Sequence, residues 1–80
     1  MKYRFFKSSR KHKISSQRAR YVIGRVEPIK LETGRHKETK LLWLGVDSQG
    51  VEIEVIGFEY RGIRFITHIM PTKFRRRQKW

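Results

Sequence analysis

The spacing of apolar residues in the first third of the chain predicts one short α-helix. The pair Ser15-Ser16 provides a hydroxyl that can accept a hydrogen bond from the first helical turn, which is a common way for a helix to begin. Pro28 should end the helix, and Gly24 is an earlier alternative end. Four apolar residues in between recur at the period of one helix face, namely Ala19, Val22, Ile23 and Val26.

The second half of the chain has the pattern of strands joined by tight turns. The turn-forming segments are Asp47 to Gly50 and the pair Arg61-Gly62. Apolar residues alternate with glutamates after the first turn, and their parity switches beyond Val55, which a β-bulge near Gly57 or a twist of the strand would explain. The predicted strands are a weak one over residues 29–33, a buried one over 41–46, and two longer ones over 51–60 and 63–70.

The order of these elements, a helix followed by strands, is typical of an α+β fold. We therefore predict a single domain over residues 1–80, in which one short N-terminal helix packs on a three- to four-stranded antiparallel sheet. This domain includes a basic N-terminal segment (residues 1–13) and a basic C-terminal tail (residues 72–80). The helix should cover one face of the sheet and leave the other face open for a ligand.

The excess of cationic residues indicates a polyanionic partner. The chain has 20 Lys and Arg against 7 Asp and Glu, which gives a formal net charge of +13. Residues 1–25 and 61–80 contain no acidic residue, whereas residues 41–60 contain no Lys or Arg, so the charge lies in two flanks. If folding brings the flanks together, they form one cationic patch. Nucleic acid, an acidic protein and an anionic membrane surface all fit such a patch.

The residue types that the chain lacks exclude several classes of protein. The absence of Cys excludes disulfide frameworks, thiolate nucleophiles and Cys-based zinc sites. His12, His36 and His68 are far apart in sequence and no cofactor-binding motif occurs, so we expect neither a metal site nor a cofactor. The apolar runs are too short for a membrane span or a signal peptide, which predicts a cytoplasmic protein.

Two sets of basic residues could supply the chemistry of RNA cleavage. Internal cleavage of RNA needs a base near the 2′-hydroxyl, an acid for the leaving oxygen, and cations for the charge that develops on the phosphate. His12 and His68 are candidates for proton transfer, because imidazole titrates near neutrality. The candidates for charge stabilisation are Arg10, Lys11 and Arg64.

The last predicted strand places two of these candidates on one face. Arg64 and His68 have the same parity, so we expect them together on the open side, with Phe65 on the side that the helix covers. A histidine in a strand, such as His68, more often has a structural role. A basic run such as residues 10–13 is more often a solvated loop. Their catalytic roles therefore stay open at this point.

The remaining basic residues are candidates for phosphate contacts, which give salt-dependent binding without sequence selectivity. The candidate RNA-binding residues are Lys7, Lys13, Arg18, Arg25, Arg61, Lys73, Arg75, Arg76 and Arg77. Aromatic residues are interleaved with basic ones near both termini, and they could stack on unpaired bases or pin the termini to the core. These aromatic residues are Tyr3, Phe5, Phe6, Phe74 and Trp80.

Two stretches of the chain resemble the toxins of the BrnT type. Residues 7–15, Lys-Ser-Ser-Arg-Lys-His-Lys-Ile-Ser, resemble the Lys-His-Gly opening of that family before a helix, except that Lys13 stands at the position of the glycine. Residues 44–56 and 66–71 are similar to small actinobacterial proteins described as toxins of that group. The resemblance covers about residues 5–76, most of the chain.

The resemblance implies a RelE-like α+β fold and a compact ribonuclease that halts translation. It also implies a cognate acidic antitoxin as a partner, in a toxin–antitoxin hetero-oligomer or beside a toxin homodimer. Residue by residue, Lys11 and His12 match the opening motif. The residues that match the second cationic element of the family are Arg64, Arg75 and Arg76.

The sequence thus favours a type II toxin, a metal-independent endoribonuclease that cleaves RNA, with free or ribosome-bound mRNA as the expected substrate. The alternative is a non-catalytic RNA- or DNA-binding module, such as a ribosome-associated protein. A third interpretation is an interaction protein whose cationic surface binds an acidic partner. Charge and aromatic content fit all three, and only the resemblance favours cleavage.

Overall fold

The structure, a computed structural model, describes residues 1–32 and 39–73 of the chain. Within these residues it has one α-helix, one short 3-10 helix and five strands. In chain order the elements are β1 (Lys2–Phe5), the 3-10 helix (Lys7–Arg10), α1 (Ser16–Ile23), β2 (Ile29–Glu32), β3 (Thr39–Val46), β4 (Glu52–Tyr60) and β5 (Ile63–Pro71).

The five strands form one mixed sheet in the order β1-β5-β4-β3-β2. The predicted α+β class with one short helix is confirmed, but the predicted three- to four-stranded antiparallel sheet is wrong. The additional strand, β1, runs parallel to β5, whereas the other neighbours are antiparallel. Local pattern did not reveal β1, because its Lys-Tyr-Arg-Phe sequence forms part of a cationic segment and its partner lies at the other end of the chain.

Helix α1 forms where the apolar spacing predicts a helix. Ser15 caps it, since the Ser15 hydroxyl oxygen accepts a hydrogen bond from the backbone N–H of Arg18 at 3.3 Å. The helix ends at Gly24, the earlier of the two predicted ends. Ala19 and Val22 are fully buried against the sheet, and the core that they join also contains Leu41, Trp43, Ile53, Val55, Ile66 and Ile69. The helix therefore covers one face of the sheet, as predicted.

Both predicted turns are confirmed. The Asp47 carboxylate accepts hydrogen bonds from the backbone N–H groups of Gln49 and Val51, at 2.8 and 3.0 Å, which fixes the turn between β3 and β4. Arg61 and Gly62 join β4 to β5 with φ angles of 52° and 79°. Two consecutive left-handed residues are typical of the tightest hairpin turns.

A β-bulge interrupts the pairing of β4 with β5. Ile56 pairs with His68 but Gly57 pairs with Ile66, so Thr67 is the extra residue on β5. The irregularity lies opposite Gly57, but β4 pairs with β3 in unbroken register, so a bulge in β4, one of the two explanations for its parity switch, is wrong. Gly57 accommodates the bulged strand, because a Cβ atom there would lie 2.2 Å from the Phe65 carbonyl oxygen.

The bulge places Arg64 and His68 on opposite faces of the sheet, which corrects the prediction that they share one. Arg64 and Ile66 both lie on the face that α1 covers, whereas Phe65 and His68 lie on the other face. Parity along β5 fails as a guide because Thr67 adds one residue to the alternation.

Candidate nucleic-acid interface

The sheet face opposite α1, here called the helix-free face, carries a cluster of three phenylalanines. Phe58 and Phe65 are cross-strand partners, and their rings stack with centroids 5.0 Å apart and planes inclined by 20°. Phe6, directly after β1, packs edge-on against both, with centroid distances of 6.2 and 5.8 Å. Phe6 is 42% exposed, so this aromatic cluster presents a ring to solvent.

Cationic side chains border the aromatic cluster on both sides. Arg4 of β1 is the partner of Phe65, and Lys40 of β3 is the partner of Phe58. The four positions therefore form one row across the sheet, cation–aromatic–aromatic–cation, and both cations are exposed. Aromatic rings beside backbone-neutralising cations are typical of surfaces that bind unpaired nucleotides.

Sequence reasoning found only Phe6 of this surface. Parity along β5 predicts that Phe65 faces the helix, and Phe58, Arg4 and Lys40 belong to no motif of the sequence. The signal that could have paired Phe58 with Phe65 is the Arg61-Gly62 turn, because a two-residue turn makes Tyr60 the partner of Ile63 and Phe58 the partner of Phe65. Which face this pair occupies depends on which strand carries the bulge, and nothing in the local pattern distinguishes the two strands.

Beside the aromatic cluster, the structure brings the two candidate histidines together. The 3-10 helix docks on β5, where the Ser8 hydroxyl donates a hydrogen bond to the carbonyl oxygen of the bulged residue Thr67 at 2.9 Å. The chain then places the His12 ring against the His68 ring, edge to face, with centroids 5.5 Å apart and planes at 82°. Both histidines are half-buried. The two cationic flanks therefore meet at this pair.

The basic residues around His12 surround a shallow groove. Arg10, Lys11 and Lys13 are all exposed, and Arg10 and Lys13 line the groove together with residues 14–16 at the start of the helix. Lys13 has a φ of 59°, in the left-handed region that favours glycine. This strained backbone stands at the position where the resembled opening motif has glycine.

Arg64 lies on the helix-covered face and takes part in a structural network. Its Nε donates a hydrogen bond to the Glu59 carboxylate at 2.8 Å, and its Nη1 donates one to the Tyr3 hydroxyl at 3.0 Å. The guanidinium also lies 5.7 Å from the ring centre of Trp43. The Glu59 carboxylate, with the Tyr3 hydroxyl, raises the pKa of Arg64 despite its burial. The structure does not bring this candidate together with His12 and His68.

Arg18, a candidate for RNA binding, instead joins the helix to the turn between β3 and β4. Its guanidinium pairs with the buried Asp47 carboxylate at 2.6 and 2.7 Å. Burial alone would raise the pKa of Asp47, but the hydrogen bonds from Val51, Gln49 and Arg18 outweigh it and hold that pKa below its usual value. The pair is therefore charged at neutral pH.

The other candidate RNA-binding residues are dispersed. Lys7 and Lys73 are exposed. The guanidinium groups of Arg25 and Arg61 lie over the rings of Tyr21 and Tyr60, at 4.1 and 5.2 Å. The predictions for His36, Phe74, Arg75, Arg76, Arg77 and Trp80 concern positions outside the described residues.

The part of the chain that the structure describes contains neither a cluster of metal-ligating side chains nor a membrane-spanning helix. Among residues 1–32 and 39–73, no group of three or more His, Cys, Asp or Glu side chains could hold a metal ion. Over the same part of the chain, no helix has the length and apolar character needed to cross a membrane.

Comparison of the chain with protein-family models, with curated proteins and with solved structures finds no match. The function therefore has to be inferred from the geometry of the helix-free face and from the chemistry of its residues.

Proposed function

We propose that the protein is a metal-independent endoribonuclease with His12 and His68 at its centre, and that it acts as the toxin of a type II toxin–antitoxin system with a RelE-like fold. The observation that carries this proposal is the pairing of the two imidazole rings, 5.5 Å apart, beside an exposed cationic segment. Two residues from opposite ends of the chain supply the two proton-transfer groups that RNA cleavage requires.

The chemistry of the step balances with groups of this chain and the RNA alone. One imidazole, in its neutral form, accepts the proton of the 2′-hydroxyl while that oxygen attacks phosphorus. The other, protonated, donates its proton to the 5′-oxygen as the P–O bond breaks. The products are a 2′,3′-cyclic phosphate and a 5′-hydroxyl. In this proposal the charge on the phosphate oxygens is stabilised by Arg10 and Lys11, which are exposed and close to His12 in the sequence.

The backbone at Lys13 supports the resemblance to BrnT-type toxins. Its left-handed conformation, with φ of 59°, is the one for which the glycine of the family's opening motif is suited. In this proposal Arg64 is a positioning residue instead of a catalytic one, because its hydrogen bonds to Glu59 and Tyr3 hold β1 and β4 against β5.

A toxin of this kind needs an inhibitor, and the charge of the chain favours an acidic antitoxin. A net charge of +13 attracts an acidic segment, which would compete with RNA for the same cations. Expression of the protein should arrest growth, and co-expression of an acidic product encoded beside it should relieve the arrest. Growth that continues normally during expression would contradict the toxin proposal.

The decisive experiment is cleavage of RNA by the purified protein in excess chelator. We expect cleavage with cyclic phosphate ends, and a loss of about 10²–10⁴-fold in rate for His12→Ala and for His68→Ala. Lys30→Ala, an exposed cation of β2, is the matched control and should keep the wild-type rate. Full activity of both histidine variants would refute the site. No cleavage of free RNA or of ribosome-bound message would refute the enzyme.

The second candidate function, a non-catalytic RNA-binding module, is favoured by a separate observation. The row of Arg4, Phe65, Phe58 and Lys40 offers stacking and phosphate contacts that need no catalytic group. Retention of RNA by the wild-type protein without any cleavage, and without growth arrest, would select this alternative.

A further inference from the structure

We infer that the aromatic cluster is a platform for unpaired bases, so that the RNA bound by this protein is single-stranded. The inference deepens the proposed function and rests on it in naming RNA as the ligand. Phe6 is the base-stacking residue, and Arg4 and Lys40 contact the phosphates on either side.

The Phe6 ring is exposed to solvent and is also held in one orientation. Its ring is 42% exposed, yet it is held edge-on by two further rings, at 6.2 Å from Phe58 and 5.8 Å from Phe65. An exposed ring fixed in one orientation loses little conformational entropy when a base stacks on it. Bases inside a duplex are already stacked on each other, so only an unpaired base can use such a ring.

Arg4 and Lys40 lie on opposite sides of the aromatic pair, at a distance that suits the backbone of one nucleic-acid strand. Arg4 and Lys40 are separated by three strand spacings, about 14 Å, with the aromatic pair between them. This interval leaves room for a base over the cluster while both cations reach the backbone. Cations on both sides of a stacking surface follow the path of one strand of nucleic acid.

The aromatic cluster lies on the same sheet face as the histidine pair. Phe65 and His68 lie on the same face of β5, on either side of the bulge, and His12 packs on His68. An RNA strand stacked on Phe6 therefore passes beside the imidazole rings. The platform would deliver an unpaired segment to the proposed centre and would exclude a duplex from it.

The test measures binding separately from cleavage. The double variant His12→Ala/His68→Ala, which cannot cleave if the proposed function holds, is titrated with a labelled single-stranded RNA and with a duplex of the same sequence. We expect the single strand to bind at least about tenfold more tightly. In the same background, Phe6→Leu keeps an apolar side chain without the aromatic face, and it should weaken single-strand binding by about tenfold.

The matched control for Phe6 is Tyr21→Leu, which removes an aromatic ring of similar exposure (37%) from the helix. Tyr21→Leu should leave binding unchanged. A second measurement does not depend on Phe6: Arg4→Gln/Lys40→Gln should lower the slope of log affinity against log salt by about 1.4, and Lys30→Gln should lower it by much less. Thermal unfolding of each variant verifies that it is folded.

The results separate the two proposals. Equal affinity for single strand and duplex, or Phe6→Leu behaving like Tyr21→Leu together with an unchanged salt slope for Arg4→Gln/Lys40→Gln, would overturn the platform. If Phe6→Leu and Arg4→Gln/Lys40→Gln lose binding but the wild-type protein cleaves no RNA, the ribonuclease proposal is refuted and the platform is supported. If cleavage is seen and neither Phe6 nor the two cations matter for it, the platform alone falls.

Discussion

At the scale of single residues, Gly57 carries the strictest steric constraint among the glycines of the described residues. A Cβ atom at this position would lie 2.2 Å from the carbonyl oxygen and 3.1 Å from the carbonyl carbon of Phe65. Both contacts are with backbone, so no side-chain rotation can relieve them. We predict that Gly57→Ala lowers the free energy of unfolding by at least about 2 kcal/mol, measured by denaturant titration.

Gly24→Ala is the control for this prediction. Gly24 has a φ of −77°, and a Cβ atom there would come no closer than 3.4 Å to another atom. Alanine should therefore fit, and it should change stability by no more than about 1 kcal/mol in either direction. Similar losses in both variants would show that the close approach of β5 does not constrain Gly57.

Another residue-scale prediction concerns the left-handed backbone of Arg61. Its φ of 52° is unfavourable for a residue with a long side chain, whereas asparagine adopts this region more readily and precedes glycine in many two-residue hairpin turns. We predict that Arg61→Asn raises the free energy of unfolding by about 0.5 kcal/mol. Arg61→Ala removes the same charge without relieving the backbone, so a gain of equal size in that variant would contradict the explanation.

At the scale of elements, the Arg18–Asp47 pair links α1 to the turn between β3 and β4. Loss of the carboxylate leaves Arg18 without its charged partner and weakens two hydrogen bonds of the turn. We predict that Asp47→Asn lowers the free energy of unfolding at neutral pH by about 2 kcal/mol. Glu27→Gln, an exposed carboxylate, is the control and should change it by less than about 0.5 kcal/mol.

The same pair predicts a dependence of stability on pH. Burial opposes ionisation of Asp47, but its hydrogen bonds prevail and lower its pKa in the folded state. A lowered pKa contributes stability that is fully present above the unfolded value, about 3.9, and is lost as pH falls through the folded value. The wild-type protein and Asp47→Asn should therefore converge in stability below about pH 4. A constant difference down to pH 2 would contradict this account.

Elements defined by neighbouring residues were predictable from the sequence, and elements defined by distant pairing were not. Ser15, the helical spacing and the Asp47 turn act within a few residues, so α1 and the two hairpins follow from local pattern. β1 exists because β5 pairs with it from the far end of the chain. The bulge at Thr67 likewise depends on register between strands, and it decided which residues share a face with His68.

At the scale of the whole molecule, the site is also a product of topology. The chain makes β1 and β5 neighbours, and this single pairing brings the N-terminal cationic flank to the C-terminal strand. His12 meets His68 there, and Arg4 becomes the neighbour of Phe65. The sequence indicated one cationic patch if the flanks met, but it could not say which residues the meeting would place together.

The net charge predicts opposite effects of salt on folding and on RNA binding. A charge of +13 on 80 residues repels itself in the compact state, and salt screens this repulsion. We predict that raising NaCl from about 0.05 to about 0.5 M increases Tm by roughly 5 °C. RNA affinity should fall steeply over the same range, because releasing the condensed counterions into more concentrated salt gains less free energy. KCl should act like NaCl, since screening does not depend on which monovalent cation is present. A Tm that falls with salt would mean that attractive pairs such as Arg18–Asp47 outweigh the repulsion among the two flanks.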